Sequence, residues 1–303
     1  MNAAADTATP VATPAATPAP ARDDTIELRS GALRLALRPD LGGSIAGLWH
    51  HHVPVLRSVE PHAQEQVRQG ACFPLVPYSN RLGYRRFRFK GRDYTTQANF
   101  GEHPHSVHGV AWQRPWALRS HGPLDAVMAY QHAPDAHWPF AFEAEQFFSL
   151  TPQSLRVQMT VTNTGDVAQP VGLGWHPYFV RRQRSRLHIE LTDRWESDAA
   201  QLPTRKVAQA GIDSDVAHLD FDHCFEGWSG PARMRDEKFS LQLTSSMTRL
   251  VVYTPHDRDL YCVEPVSHVS NAIHMADPSA HGLITLQPGE STAGWMKLDI
   301  API

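Results

Sequence analysis

The sequence predicts an all-β protein built as a large antiparallel β-sandwich, and three observations point there. Apolar residues recur at every second position through most of the 303-residue chain, no long amphipathic helix stands out, and the 24 prolines argue against a helical bundle. Ile26 to Ser30 and Leu33 to Arg38 alternate around Gly31, a strand–turn–strand pattern, and Asp40-Leu41-Gly42-Gly43 marks the next turn. Phe87 to Tyr94 reads as a hairpin turning at Lys90-Gly91-Arg92. Phe140 to Phe148 continues the alternation, followed by Arg156 to Thr162 and an Asn163-Thr164-Gly165-Asp166 turn. Leu187 to Leu191, Leu250 to Tyr253, Asp259 to Val263 and Gly294 to Ile300 supply further strands. Residues 1–24 are rich in Ala, Thr and Pro and lack bulky apolar groups to offset ordering entropy, so they are expected to be a disordered tail. Residues 25–303 carry no visible break or repeat and are expected to form a single domain, a size within reach of one sandwich.

Composition narrows the function. The chain is 42% hydrophobic and 19% charged with a net charge of −3, which leaves no basic field for nucleic acid and no polybasic stripe for a membrane. Arginines cluster in Arg81 to Arg86 and Arg181 to Arg186, but acids lie nearby and a solvated loop is the favoured reading of each. Cys72, Cys224 and Cys262 form no Cys-x-x-Cys pair and read as reduced thiols. No apolar run approaches the ~18 residues of a membrane span, and the first residues lack the core of a secretion signal. A cytoplasmic location is expected.

The chemistry concentrates in Val171-Gly172-Leu173-Gly174-Trp175-His176-Pro177-Tyr178-Phe179, where the proline disfavours helix at His176 and holds it extended among aromatics. His105-Ser106-Val107-His108-Gly109 and Cys262-Val263-Glu264-Pro265 are the candidate partners. Two histidines and a carboxylate without a cofactor signature suggest acid/base work. A metal site from His103, His105 and His108, with Glu102 nearby, is the weaker reading: no His-Glu-x-x-His or Cys pair exists, and His50-His51-His52 uses histidine freely in a turn. Gly172-Leu173-Gly174 lacks the third glycine and helix of a nucleotide loop, and no Gly-x-Ser-x-Gly elbow occurs. Glu264, read at a strand end beside proline, either points into a cleft or faces water. Asp222, in what reads as a turn, is more simply a turn cap. Arg81, after the proline-punctuated run from Phe73 to Ser79 and Asn80, either forks onto a ligand or pairs with a buried acid. Tyr78, Trp175, Tyr178 and Trp228 could be platforms for sugar rings, although core packing is the commoner job.

Taken in order, five motifs resemble the aldose 1-epimerases (galactose mutarotases). They are Pro74-Leu75-Val76-Pro77-Tyr78-Ser79-Asn80-Arg81-Leu82-Gly83, His105-Ser106-Val107-His108-Gly109, Trp175-His176-Pro177-Tyr178-Phe179, Phe221-Asp222-His223-Cys224-Phe225 and Cys262-Val263-Glu264-Pro265. The resemblance spans about residues 25–303 and implies a galactose-mutarotase-like supersandwich with an open cleft, no cofactor and no metal. It implies that Glu264 is the general base on the anomeric hydroxyl and His176 the general acid on the ring oxygen. His108 would assist there, Arg81 and Asp222 would grip hydroxyls, and Asn80, Trp175 and Tyr178 would complete the sugar contacts. Val107, Val110 and Trp175 depart from residues common in relatives and bear on which sugar is taken.

The expected activity is therefore interconversion of the α and β anomers of a free, galactose- or glucose-like aldose. The expected partner is a monosaccharide, with the chain a monomer or homodimer. One carboxylate and one imidazole suffice, since opening a hemiacetal moves one proton from O1 and one to O5. His176 must carry a proton, so a neighbouring carboxylate is expected to raise its pKa, giving a bell-shaped pH–rate profile. The rival readings are a hexose-6-phosphate mutarotase using Arg85, Arg86 or the Arg181–Arg186 loop, a glycoside hydrolase using Asp222 and Glu264, and a non-catalytic carbohydrate-binding protein.

Overall fold

Alternation of side chains about each strand sorts the chain into faces. A computed structural model describes residues 25–303; the segment 1–24, expected to be a disordered tail, lies outside the described residues. In the strand Phe142–Thr151 every second residue from Phe142 to Leu150 is buried, and Ser154–Asn163 buries Leu155, Val157, Met159 and Val161 in the same way. These two strands pair with each other and lie inside a nine-stranded antiparallel sheet, next to the long strand Ser291–Pro302. The expected hairpin at Phe87 to Tyr94 forms from Arg86–Phe89 and Arg92–Thr95. Its turn residues Lys90 and Gly91 both have positive φ, the backbone that suits the twist of a two-residue hairpin. Ile26–Ser30 and Leu33–Arg38 pair as predicted, within a separate four-stranded sheet.

A second large sheet, of eight strands, carries the chemistry. Its middle is built from Asp222–Glu226, Arg249–Tyr253, Leu260–Val266 and the two-residue strand Gly174–Trp175, with Tyr178–Val180 also paired to Leu260–Val266. One face of these strands sends Phe225, Leu250, Val252, Tyr261, Val263, Phe179 and Trp175 into the main core, which they share with the inward residues of the nine-stranded sheet. The other face presents Cys224, Val251, Cys262, Val266 and Tyr178 to a smaller apolar cluster with Phe73 and Trp112. Glu264 is on this second face, two residues beyond Cys262.

Two expectations change at this level. Glu264 is not at a strand end: the strand runs two residues further, through Pro265 to Val266. Asp222 is not in a turn but opens the strand Asp222–Glu226, where it sits opposite Tyr253. In both cases pairing with Arg249–Tyr253 overrides the local turn or breaker signal.

Trp175 belongs to the core rather than to a sugar platform. It is buried, and its indole N–H donates to Gln146 Oε1 at 3.1 Å. Adjacent residues of an extended segment face opposite ways, so with His176 on the site face Trp175 turns inward. Trp175→Ala should therefore lower unfolding stability by about 3–5 kcal/mol in urea titration. A loss below about 1 kcal/mol would be incompatible with this packing.

Candidate active site

Folding brings His176 and Glu264 into direct contact. His176 lies in the break between Gly174–Trp175 and Tyr178–Val180, where Pro177 interrupts pairing. Its N–H donates to Phe73 O at 3.0 Å, the Tyr178 N–H donates to Ala71 O at 2.9 Å, and the bend is fixed from both sides. The imidazole stacks on Phe73 with centroids 4.7 Å apart and lies 4.5 Å from the Tyr178 ring. His176 Nε2 stands 3.3 Å from Glu264 Oε1. Both side chains are buried, and Glu264 Oε2 and His176 Nδ1 have no hydrogen-bond partner within the protein.

Burial sets the protonation of this pair. Desolvation raises Glu264 well above the usual carboxylate range; the Asp222 charge adds to that and Arg81 opposes it. Desolvation lowers His176 to about 3, with the Arg57 charge acting in the same direction. The expected rise in His176 is thus reversed, because losing water outweighs a carboxylate that is itself held neutral. Burial thus favours the neutral acid beside the neutral imidazole over the ionised pair.

A short ladder fixes the next three residues. Arg81 pairs with Val107 and Leu82 with Ser106, with Asn80 and His108 at its end. The Asn80 N–H donates to His108 Nδ1 at 3.1 Å, and the His108 N–H returns a bond to Asn80 O at 2.9 Å. Because Nδ1 accepts, the ring proton is on Nε2. Burial, followed by the charges of His176, Arg81 and Arg68, keeps His108 neutral. Asn80 and His108 both have positive φ, at 57° and 65°, the left-handed backbone that Asn and His adopt more readily than most side-chain-bearing residues. Gly109 has no freedom to carry a side chain: a Cβ there would sit 2.2 Å from Val76 O.

Arg81 is clamped before any ligand arrives. Its guanidinium donates to Asp222 Oδ2 at 3.2 Å, to Asn80 Oδ1 at 3.2 Å and to Gln201 Oε1 at 2.6 Å. Of the two sequence readings of Arg81, the structure shows a pair with an acid, and that acid, Asp222, is half-exposed rather than buried. Gln201 is a site residue that sequence reasoning missed. It lies in the turn between Asp193–Ser197 and Pro203–Ala208, and only tertiary folding brings it to Arg81. Phe73 was also missed, although it directly precedes a quoted motif.

Other candidates do not converge here. Tyr78 and Trp228 are in the main core. His105 accepts the Tyr84 N–H on Nδ1 at 2.8 Å and meets Ala200 O at 2.9 Å through Nε2, so it has a bracing role away from His108. Among the described residues, the group able to offer three ligand atoms to a metal is His176, Cys262 and Glu264, whose atoms lie within 4.8 Å of one another. Burial and the Glu264 charge hold the Cys262 thiol well above its usual range, so a cation would have to displace protons to bind.

Comparison with known proteins gives the family and the fold. A family model described as Aldose 1-epimerase matches residues 24–299. The uncharacterized Escherichia coli K12 protein YphB is 31% identical over 291 residues, covering 90% of this chain and 97% of that protein. A crystal structure from Escherichia coli K12, provisionally named an aldose 1-epimerase, superposes with a TM-score of 0.84 at 29% identity, covering 92% of this chain and 99% of the other. A galactose mutarotase-like protein from Clostridium acetobutylicum gives a TM-score of 0.80 at 20% identity, covering 92% and 95%, and so shares the fold.

Keeping Glu264 buried has a pH-dependent stability cost. Its folded pKa is raised, so its contribution is fully favourable below the unfolded carboxylate pKa and is lost as pH rises through the folded value. Glu264→Gln, neutral at every pH, should melt above wild type at pH 8 and lose that advantage at pH 4. Melting curves across this range test it; a constant difference would mean that Glu264 is ionised in the folded protein.

Proposed function

The chain belongs to the aldose 1-epimerase family, and from that membership we propose that it interconverts the α and β anomers of an aldose by acid/base opening and reclosure of the ring. The observation that carries this reading is the buried His176–Glu264 contact, 3.3 Å across. The two oxygens that exchange protons, O1 and O5, are bonded to the same carbon. An acid and a base serving both must therefore line the same small site, as these two do.

Glu264 as carboxylate takes the O1 proton while His176 as imidazolium gives one to O5, and the C1–O5 bond breaks to leave an aldehyde. Atoms and charge balance within the pair, which ends as neutral acid and neutral imidazole. That end state is the one burial favours. The ionised pair differs from it by a proton transfer across the contact, so the dry site loads free energy into the form that attacks and relaxes as the ring opens. After rotation about C1–C2, the same two groups return the protons and close the ring on the opposite face. His108, with its proton on Nε2, is a fixed neutral donor for the ring oxygen. Arg81 and Asp222 hold hydroxyls, Asn80 braces Arg81, and Phe73 and Tyr178 offer apolar surface to the C–H face of the sugar.

Polarimetry on freshly dissolved α-D-galactose and α-D-glucose tests the assignment. Wild type should shorten relaxation relative to buffer, and Glu264→Gln or His176→Asn should each remove about 10²–10⁴ of the acceleration. The His176 limb of the pH profile is shifted acid by burial, toward about 3, so activity should hold at mildly acidic pH. It should fall at alkaline pH, where the pair loses its one proton. A rate unchanged from about pH 5 to 9 in wild type counts against the mechanism.

A further inference from the structure

We propose that the aldose carries an anionic substituent, and that Arg57 and Arg68 hold it on the flank of the site opposite Asp222. This deepens the epimerase reading above and rests on it. The Arg57 guanidinium lies 3.8 Å from the centroid of Tyr178, and the Arg68 guanidinium 4.6 Å from that of Phe100. Those two rings in turn pack against the site histidines: Tyr178 is 4.5 Å from His176, and Phe100 is 6.3 Å from His108. Each cation thus stands one ring away from an imidazole of the site. Arg57 also donates to Arg68 O and, at 2.7 Å, to Gly70 O, which ties the two arginines together.

Neither arginine is neutralised. Several arginines of the chain pair with acids, Arg81 with Asp222, Arg182 with Asp236, Arg186 with Asp213 and Asp215, and Arg249 with Glu226, and Arg57 and Arg68 are among those that do not. Among the described residues no carboxylate lies within ion-pair distance of Arg57 or Arg68, in a chain with 31 acids for 28 bases. Arg57 is half-buried, and its Nε is shut off from water without a partner. A cation held from water without a counter-charge is unfavourable unless a ligand supplies one.

Strand register orients the substrate. Asp222, Tyr253, Cys262 and Tyr178 form one lateral row across the eight-stranded sheet, since Asp222 pairs with Tyr253, Tyr253 with Cys262, and Cys262 with Tyr178. The acid is at one end and the Arg57–Tyr178 stack at the other, with Glu264 one step along from the middle. An anion is repelled from the Asp222 end and drawn to the Tyr178 end, leaving hydroxyls for Arg81 and Asp222. Of the arginines suspected from sequence, Arg181 bonds Pro255 O, and Arg182 and Arg186 hold their acids. A guanidinium fork suits phosphate and carboxylate equally, so a sugar phosphate and a uronate are the two sources.

Anomer exchange measured by NMR on D-glucose, D-glucose 6-phosphate and D-glucuronate tests this. In wild type, kcat/KM for one anionic aldose should exceed that for glucose by about tenfold or more, as expected for a charge-assisted contact, and the excess should shrink with added KCl. The preferred anion tells phosphate from carboxylate. Arg68→Gln, a surface change, should cut kcat/KM for that anion about tenfold further than for glucose. Arg57→Lys, which keeps the charge but not the fork, should lower the preference while Arg57→Gln lowers it more. Glucose turned over as fast as both anions, with the ratio unmoved in Arg68→Gln, overturns the anion site and leaves the epimerase standing. No acceleration of any of the three overturns both.

Discussion

A carboxylic acid and an imidazole buried 3.3 Å apart can be accommodated in only a few protonation states, and the rest of the site is arranged around that restriction. With water removed, the neutral pair is the cheapest and the doubly ionised pair is costly but reachable by a single proton transfer. Fixed charges set how far apart these states are. Asp222 and Arg81 act on Glu264 from one flank with opposite sign, while Arg57 acts on His176 from the other. A fully exposed pair would lose this energy difference, because water would solvate the ionised form.

The two faces of the eight-stranded sheet divide stability from chemistry. Leu260–Val266 shows how: Tyr261 and Val263 go to the main core, whereas Cys262 and Glu264 go to the site face. Its backbone register is therefore specified twice, because a slip by one residue would put a carboxylate in the core and an aromatic ring in the cleft. The same division explains Trp175 and His176. One anchors Gln146 beneath the sheet and the other meets Glu264 above it, so the core residue fixes the orientation of the reactive one.

Strand existence was legible in the sequence because alternation is local. Ile26 to Ser30, Leu33 to Arg38 and the hairpin at Lys90-Gly91 form as read. What failed were residues whose role depends on pairing partners remote in the chain. Asp222 has a turn-like neighbourhood and Pro265 a breaker's, yet both lie in strands held by Arg249–Tyr253. The catalytic candidates Glu264, His176 and His108 were recognisable through motif resemblance, and periodicity alone left Glu264 undecided between cleft and water. Of the four aromatics read as possible platforms, Trp175, Tyr78 and Trp228 serve the core, while Tyr178 flanks His176. Gln201 and the Arg57–Arg68 pair carried no sequence signal, since each gains its position from a turn or loop docking across the fold.

Several departures from ordinary protein construction lie around the His176–Glu264 contact. Asn80 and His108 hold positive φ, Glu264 Oε2 and His176 Nδ1 are buried without partners, and Arg57 is a half-buried cation with no acid. Each is unfavourable in isolation, and each persists because the surrounding ladder and aromatic stack leave no alternative arrangement. Distributed through a core, such defects would be mere instability. Around a contact between an acid and a base, the same features fit a preorganised site, with donors, acceptors and charges held in place before a ligand arrives.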